Sequence, residues 1–142
     1  MLSSLVFVAP ANSKAIDLQS ILQQNHKAIE KASRKTVAPV LKELSQSGLE
    51  NVQVFLENWR QKNIWMRKTD GLFFYVQNPK ANPIELIDLS TNAVVSSSPK
   101  GDLKRLKPNS GVRSVIAATL VRFQLTDANP QKRQAALDAI SR

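Results

Sequence analysis

The sequence predicts an α+β protein that is mainly helical, and three observations support this fold class. Apolar residues recur at helical spacing up to about residue 62. The period shortens to that of β-strands over residues 64–95, and the helical period returns from residue 112. Because helices and strands are segregated along the chain, the pattern favours α+β over a doubly wound sheet.

Four short helices are predicted in the first half of the chain. The first ends before Asn25, and the second continues to about Lys35. Thr36 is expected to cap the third helix, with Pro39 in its first turn and Gly48 as its stop. The fourth helix is predicted from residue 50 to about residue 62, and its core-facing stripe comprises Val52, Phe55, Leu56 and Trp59.

A small antiparallel β unit is predicted to follow. Residues 64–76 have the pattern of a β-hairpin, in which Asp70 and Gly71 supply the positive-φ turn residues. Pro79 and Pro83 indicate a loop over residues 78–83. Further short strands are predicted at residues 84–88 and 93–95, with a turn at Thr91 and Asn92 between them.

The last part of the chain is predicted to be a connector followed by a helical hairpin. Residues 96–111 are interpreted as an exposed connector that is rich in lysine. A strongly apolar helix should follow and end near Leu125, and Asn129 should cap a last helix that opens with Pro130. The predicted inner face of that last helix comprises Ala135, Ala136, Ala139 and Ile140.

The 142 residues suit one domain with a core of its own. Residues 1–15 are interpreted as a leader-like remnant or a disordered tail, because an apolar segment precedes small residues at cleavage-site spacing but lacks a basic start. The domain proper then covers residues 16–142, divided into a helical part (16–62), a β unit (64–95), a basic connector (96–111) and a helical hairpin (112–142).

The residue inventory argues against catalysis and against a metal site. The chain has no Cys and one His, which excludes disulfides, thiolate ligands and multi-histidine metal sites. His26 is expected to be a solvent-exposed side chain, since no nucleophile or paired acid stands at motif spacing around it. With four glycines, the chain also lacks a glycine-rich phosphate loop. We therefore expect no enzyme activity, no cofactor and no bound metal.

The net charge of +9 points to acidic partners: nucleic acid, anionic lipid or an acidic protein surface. The aromatic residues of the hairpin leave a single-stranded nucleic-acid site open as an alternative. The simpler interpretation is that Phe73, Phe74 and Tyr75 alternate between core and solvent, like any half-buried strand. The candidate interaction surface comprises Lys100, Lys104, Arg105, Lys107 and Arg113.

The C-terminal segment resembles the first helix of a HEAT repeat. Residues 129–140 contain an opening Pro130, then Arg133, then the paired Ala135 and Ala136. Alanines at these positions allow close helix packing. Because a HEAT unit needs a second antiparallel helix, the resemblance implies that the sequence is a piece of a longer polypeptide.

The order of the segments is similar to that in the N-terminal extramembrane domain of urea ABC transporter permeases, which belong to the branched-chain-amino-acid type. The similarity covers most of residues 16–142. It implies a non-catalytic periplasmic accessory domain of an importer of urea, or of a related small amide or amino acid, with a protein-interaction or scaffolding role. The segments that carry the similarity are Val37–Leu44, Val52–Trp59, Met66–Gly71, Leu103–Arg113 and Leu120–Ile140.

The resemblance also implies partners and a location. The first partner would be the transmembrane permease region of the same full-length chain. The periplasmic urea-binding protein and an anionic lipid surface are further candidates, while nucleic acid is disfavoured. The location would be the periplasmic side of the bacterial inner membrane. The polypeptide itself is expected to be soluble, because it lacks the ~18–20 consecutive apolar residues that a membrane span needs. The alternative function is a basic soluble nucleic-acid-binding module.

Overall fold

The computed structural model of the protein describes residues 17–141, and the interpretation of residues 1–15 lies outside this part. The predicted α+β, mainly helical fold is confirmed. The helices of the described part are α1 (Leu18–Gln24), α2 (His26–Glu30), α3 (Arg34–Gln46), α4 (Val52–Arg60), α5 (Ser110–Leu125) and α6 (Pro130–Ile140). Its strands are β1 (Ile64–Arg67), β2 (Phe73–Tyr75), β3 (Ile84–Ile87), β4 (Val94–Ser98) and β5 (Leu103–Arg105).

The start of α3 differs from the prediction. Ser33, rather than Thr36, is the N-cap, and the two residues form a capping box. The Thr36 backbone N–H donates to Ser33 Oγ (3.1 Å), and the Ser33 N–H donates to Thr36 Oγ1 (2.9 Å). Pro39 therefore lies inside α3 and not in its first turn, while α2 ends at Glu30, short of the predicted Lys35.

The main core lies between the helices and one face of the sheet. The stripe predicted on α4 is confirmed, since Val52, Phe55, Leu56 and Trp59 are all fully buried. Ile64, Met66, Phe73 and Tyr75 of β1 and β2 face the same cluster. Helix α5 contributes its buried side chains to this core as well: Val112, Ile116 and Leu120.

The first hairpin forms as predicted, although with a longer turn. β1 and β2 are antiparallel, and Trp65 lies opposite Phe74. Gly71 adopts a positive φ of 75°, while Asp70 does not, so the prediction of a positive-φ pair is correct only for the glycine. Asp70 instead accepts hydrogen bonds from Arg67 Nη2 (2.7 Å) and from the Leu72 N–H (3.2 Å).

The sheet extends beyond the predicted β unit. Its strand order is β4-β3-β2-β1-β5, and all pairings are antiparallel. The prediction of an exposed connector over residues 96–111 is wrong in three places, because residues 96–98 belong to β4, Leu103–Arg105 form β5 and pair with β1, and α5 already begins at Ser110. Leu103 and Leu106 are buried and anchor β5. A strand of three residues is too short to show the alternation that identifies a strand in a sequence.

The second face of the sheet is buried too, contrary to the expected division between core and solvent. Two cationic side chains cover it in part. The Arg67 guanidinium lies 4.9 Å from the Phe74 ring centroid, and the Arg105 guanidinium lies 5.5 Å from the Trp65 centroid. The buried cluster on this face comprises Trp65, Phe74, Val76, Ile84, Leu86 and Leu103.

The last two helices form the predicted hairpin. The Asn129 side chain caps α6 by accepting from the Gln131 N–H (2.9 Å), as expected. The predicted inner face is wrong except at Ala136, because Ala135, Ala139 and Ile140 are exposed. Helix α6 packs on α5, and this contact buries only a narrow stripe of α6 around Ala136. Within residues 17–141, every helix is too short or too polar to span a bilayer.

Candidate functional site

Four of the five predicted surface cations line one groove beside the β5 edge of the sheet. We call it the basic groove; its volume is about 530 Å³. The pairing of β1 with β5 brings Arg105 opposite Trp65, and the preceding 3₁₀ turn carries Lys100. The residues that line the basic groove are Glu30, Trp65, Lys100, Leu103, Lys104, Arg105 and Lys107.

Arg105 is held in a fixed orientation. Its Nε donates a hydrogen bond to the Lys62 backbone carbonyl (2.7 Å), and its guanidinium stacks over the buried Trp65 ring. Lys62 has a positive φ of 67° at the turn between α4 and β1. The hydrogen bond occupies Nε and the stacking contact occupies one face of the guanidinium. Neither Nη group makes a hydrogen bond to a described residue. The free fork matches the geometry of a carboxylate or phosphate.

Lys104 is already paired within the groove. Its Nζ lies 2.9 Å from Glu30 Oε2, which connects β5 to α2. The hydrogen bond from Lys104 lowers the pKa of Glu30, and the charges of Lys104, His26 and Lys31 act in the same direction. Glu30 thus remains ionised and neutralises Lys104.

The other lysines of the groove, Lys100 and Lys107, are exposed, as predicted for the connector. Neither of them pairs with a carboxylate of the described chain, and the same is true of Arg105. After the Glu30 ion pair is subtracted, the basic groove therefore presents three uncompensated positive charges. Such a site attracts anionic groups.

Arg113 does not belong to the basic groove. Its Nη1 donates to the Pro108 carbonyl (2.8 Å) near the start of α5. It lines a different surface groove, together with Arg60 and Ser110. The structure thus separates Arg113 from the other four predicted residues.

His26 is not the solvent-exposed side chain that the sequence suggested. Its side chain is 26% exposed, and its ring packs against Phe73 with a centroid separation of 5.3 Å. Its Nε2 is buried without a hydrogen-bond partner in the described part of the protein, next to Gly71. α1 and α2 cover the first hairpin here, and Gln23 Nε2 donates to the Gly71 carbonyl (2.8 Å).

Tyr75 is a further buried polar residue that the sequence did not indicate. Its hydroxyl lacks a hydrogen-bond partner among the described residues, and burial raises the pKa of Tyr75 to about 12. Gln19 of α1 binds the backbone of the same strand, β2. Its Nε2 donates a hydrogen bond to the Phe73 carbonyl, and its Oε1 accepts one from the Phe73 N–H, both at 3.0 Å. These contacts link residues 54 positions apart, so local patterns carry no sign of them.

The aromatic residues of the hairpin are not available for stacking on bases. Trp65, Phe73, Phe74 and Tyr75 are all buried, whereas single-stranded nucleic acid binds to exposed aromatic rings. In residues 17–141, no three acidic or histidine side chains come together as ligands for a metal ion. No family model, curated protein or solved structure matches this chain, so the function of the basic groove is inferred from its charges and contacts.

Proposed function

We propose that the chain is a non-catalytic accessory domain on the periplasmic side of a bacterial ABC-type importer permease for urea, or for a related small amide or amino acid. It acts by holding a partner protein. The order of its segments, which resembles that of the permease extension, supports the family. One structural observation supports the mode of action: three cations without a carboxylate partner line the basic groove.

The shape of the groove favours an acidic protein surface as its partner. Arg105 lies half-buried and fixed, so it can bind one carboxylate in a bidentate manner. Lys100 and Lys107 are exposed on flexible stems and can adapt to neighbouring acids. A bilayer is a broad surface, so protruding lysines contact it more readily than an arginine that is held inside a groove. Charge pairs of this kind mainly set specificity and association rate. The periplasmic urea-binding protein is the partner that we test.

The test compares two variants that lose the same charge. In the groove variant, Lys100, Arg105 and Lys107 are changed to Gln, while the Lys104–Glu30 pair is kept. In the control, Gln replaces three exposed lysines outside the groove: Lys35, Lys42 and Lys80. Binding is measured at low and at physiological salt by pull-down with the urea-binding protein. Co-sedimentation with anionic vesicles and a gel shift with a single-stranded oligonucleotide form two further arms.

We expect the groove variant to lose binding to the protein and the control to retain it, with circular dichroism unchanged in both. An equal loss of binding in the two variants would mean that binding depends on net charge alone, and it would overturn the assignment of the groove. Binding to vesicles alone would assign the surface to lipid. A salt-sensitive gel shift that the groove variant abolishes would favour the nucleic-acid module.

A further inference from the structure

β4 forms one edge of the sheet and has properties that differ from those of the other edge. It stands at one end of the strand order and, with five residues, is the longest strand of the described sheet. Alternate N–H and C=O groups of an edge strand point away from the sheet. The outward-pointing N–H and C=O groups of β4 have no neighbouring strand in the described part of the chain.

β4 lacks most of the features that usually protect an edge strand from pairing. Residues 94–98 contain no charged residue and no proline. The opposite edge strand, β5, is only three residues long and carries Lys104 and Arg105. Short length and cations are common protections against pairing with another chain.

The one irregularity of β4 is local. Ile87 lies opposite Val94 and Leu86 opposite Ser96, which leaves Val95 as the extra residue. Residues 96–98 remain in regular register with residues 84–86 of β3. The bulge therefore leaves a regular stretch of edge that can accept another strand.

Two apolar side chains are exposed at the start of this edge. Val94 is 54% exposed and Val95 is 53% exposed. Their neighbours in the strand are three serines, whose hydroxyls can hydrogen-bond across a pair of strands. The edge thus combines open backbone groups with apolar surface, as in proteins that accept an added strand.

We propose that β4 pairs with β4 of a second copy of this chain, antiparallel and about a two-fold axis, so that the two sheets become continuous. A two-fold contact must be self-complementary. Two chains of charge +9 repel each other over most of their surfaces, whereas the neutral β4 brings no like charges into contact. Antiparallel pairing also places the Lys100 residues of the two copies at opposite ends of the strand pair.

The nearest cation on the sheet does not oppose this contact. Arg67 Nη1 lies 3.4 Å from Ser96 Oγ, but its Nη2 is bound to Asp70 Oδ2 at 2.7 Å. Asp70 therefore compensates its charge. A contact of five residues per copy is small, and interfaces below about 1,200 Å² are usually weak. The dimer is accordingly a weak one that depends on protein concentration.

Sedimentation equilibrium tests the pairing. The mass should equal the monomer's 15.8 kDa in dilute solution and rise toward twice that value in concentrated solution. Val95→Lys places a charge on the edge and should keep the protein monomeric at every concentration. Leu137→Lys is the matched control, because Leu137 is 51% exposed on α6, which packs on α5; it should dimerise like the parent chain.

Hydrogen exchange of the parent chain gives a second measurement that needs no variant. The amides of β4 should exchange more slowly at high protein concentration, while those of β5 should not change. A parent chain that stays monomeric at about 1 mM, a concentration at which even weak interfaces associate, would overturn the proposal. So would equal loss of dimer in the two lysine variants, or β4 exchange that is independent of concentration.

Discussion

Replacing Trp59 by alanine should remove a large part of the stability of this protein. Trp59 is 0% exposed, and its ring lies 5.7 Å from that of Phe55 in the main core. Truncation of a buried tryptophan costs about 3–5 kcal/mol, because transfer energy is lost and a cavity remains. Since small domains are stable by roughly 5–15 kcal/mol in total, this one substitution should lower the urea concentration at the unfolding midpoint by a large fraction of its parent value.

Urea unfolding followed by far-ultraviolet circular dichroism measures this effect. The control is Val54→Ala on the same helix, which removes an exposed side chain and should change stability by less than about 0.5 kcal/mol. If Trp59→Ala unfolded at the same urea concentration as the control, the assignment of α4 to the centre of the core would be wrong.

Gly71→Val should give the second large loss of stability, for two separate reasons. Gly71 has a φ of 75°, a conformation that costs a β-branched residue about 1–3 kcal/mol. A Cβ at this position would also lie 3.0 Å from His26 Nε2, so the histidine ring must shift by a few tenths of an ångström. That ring is packed against Phe73, and its displacement disturbs the contact of α2 with the hairpin.

Thermal unfolding of the single variants and of the double variant separates the two causes. Gly101→Val is the control, since a Cβ there meets no atom within 4 Å and the backbone φ is not positive. Gly71→Val should cost less stability in a His26→Ala background than in the parent chain; the difference is the steric part of the loss, and the part due to φ remains in both backgrounds. A Gly71→Val protein that melts together with the Gly101→Val control would contradict the structure of this turn.

The parts of the fold that the sequence predicts are those with a repeated or chemically distinctive signal. The stripe from Val52 to Trp59 repeats at helical spacing, and Gly71 is the residue best suited to a positive φ. The start of α3 was misplaced because Ser33 and Thr36 are both good caps, and the choice depends on which backbone N–H groups each one reaches. β5 was missed because its three residues carry no period.

The candidate site was predicted in part. The cluster of cations can be seen directly in the amino-acid sequence, and four of the predicted cations do line one groove. Their division into paired and unpaired charges depends on Glu30, which lies 74 positions away from Lys104. The orientation of Arg105 depends on the backbone carbonyl of Lys62. Such contacts are set by tertiary packing, which also explains why Arg113 lies apart from the groove.

The proposal that this chain is the extramembrane part of a permease is tested most directly by the size and location of the protein in bacterial cells that carry the gene. An antibody raised against the isolated chain would be used on separated membrane and soluble fractions. We expect a band much heavier than 15.8 kDa in the inner-membrane fraction, because a permease adds several apolar spans of about 20 residues each. A band of 15.8 kDa or less that is confined to the soluble fraction would contradict it.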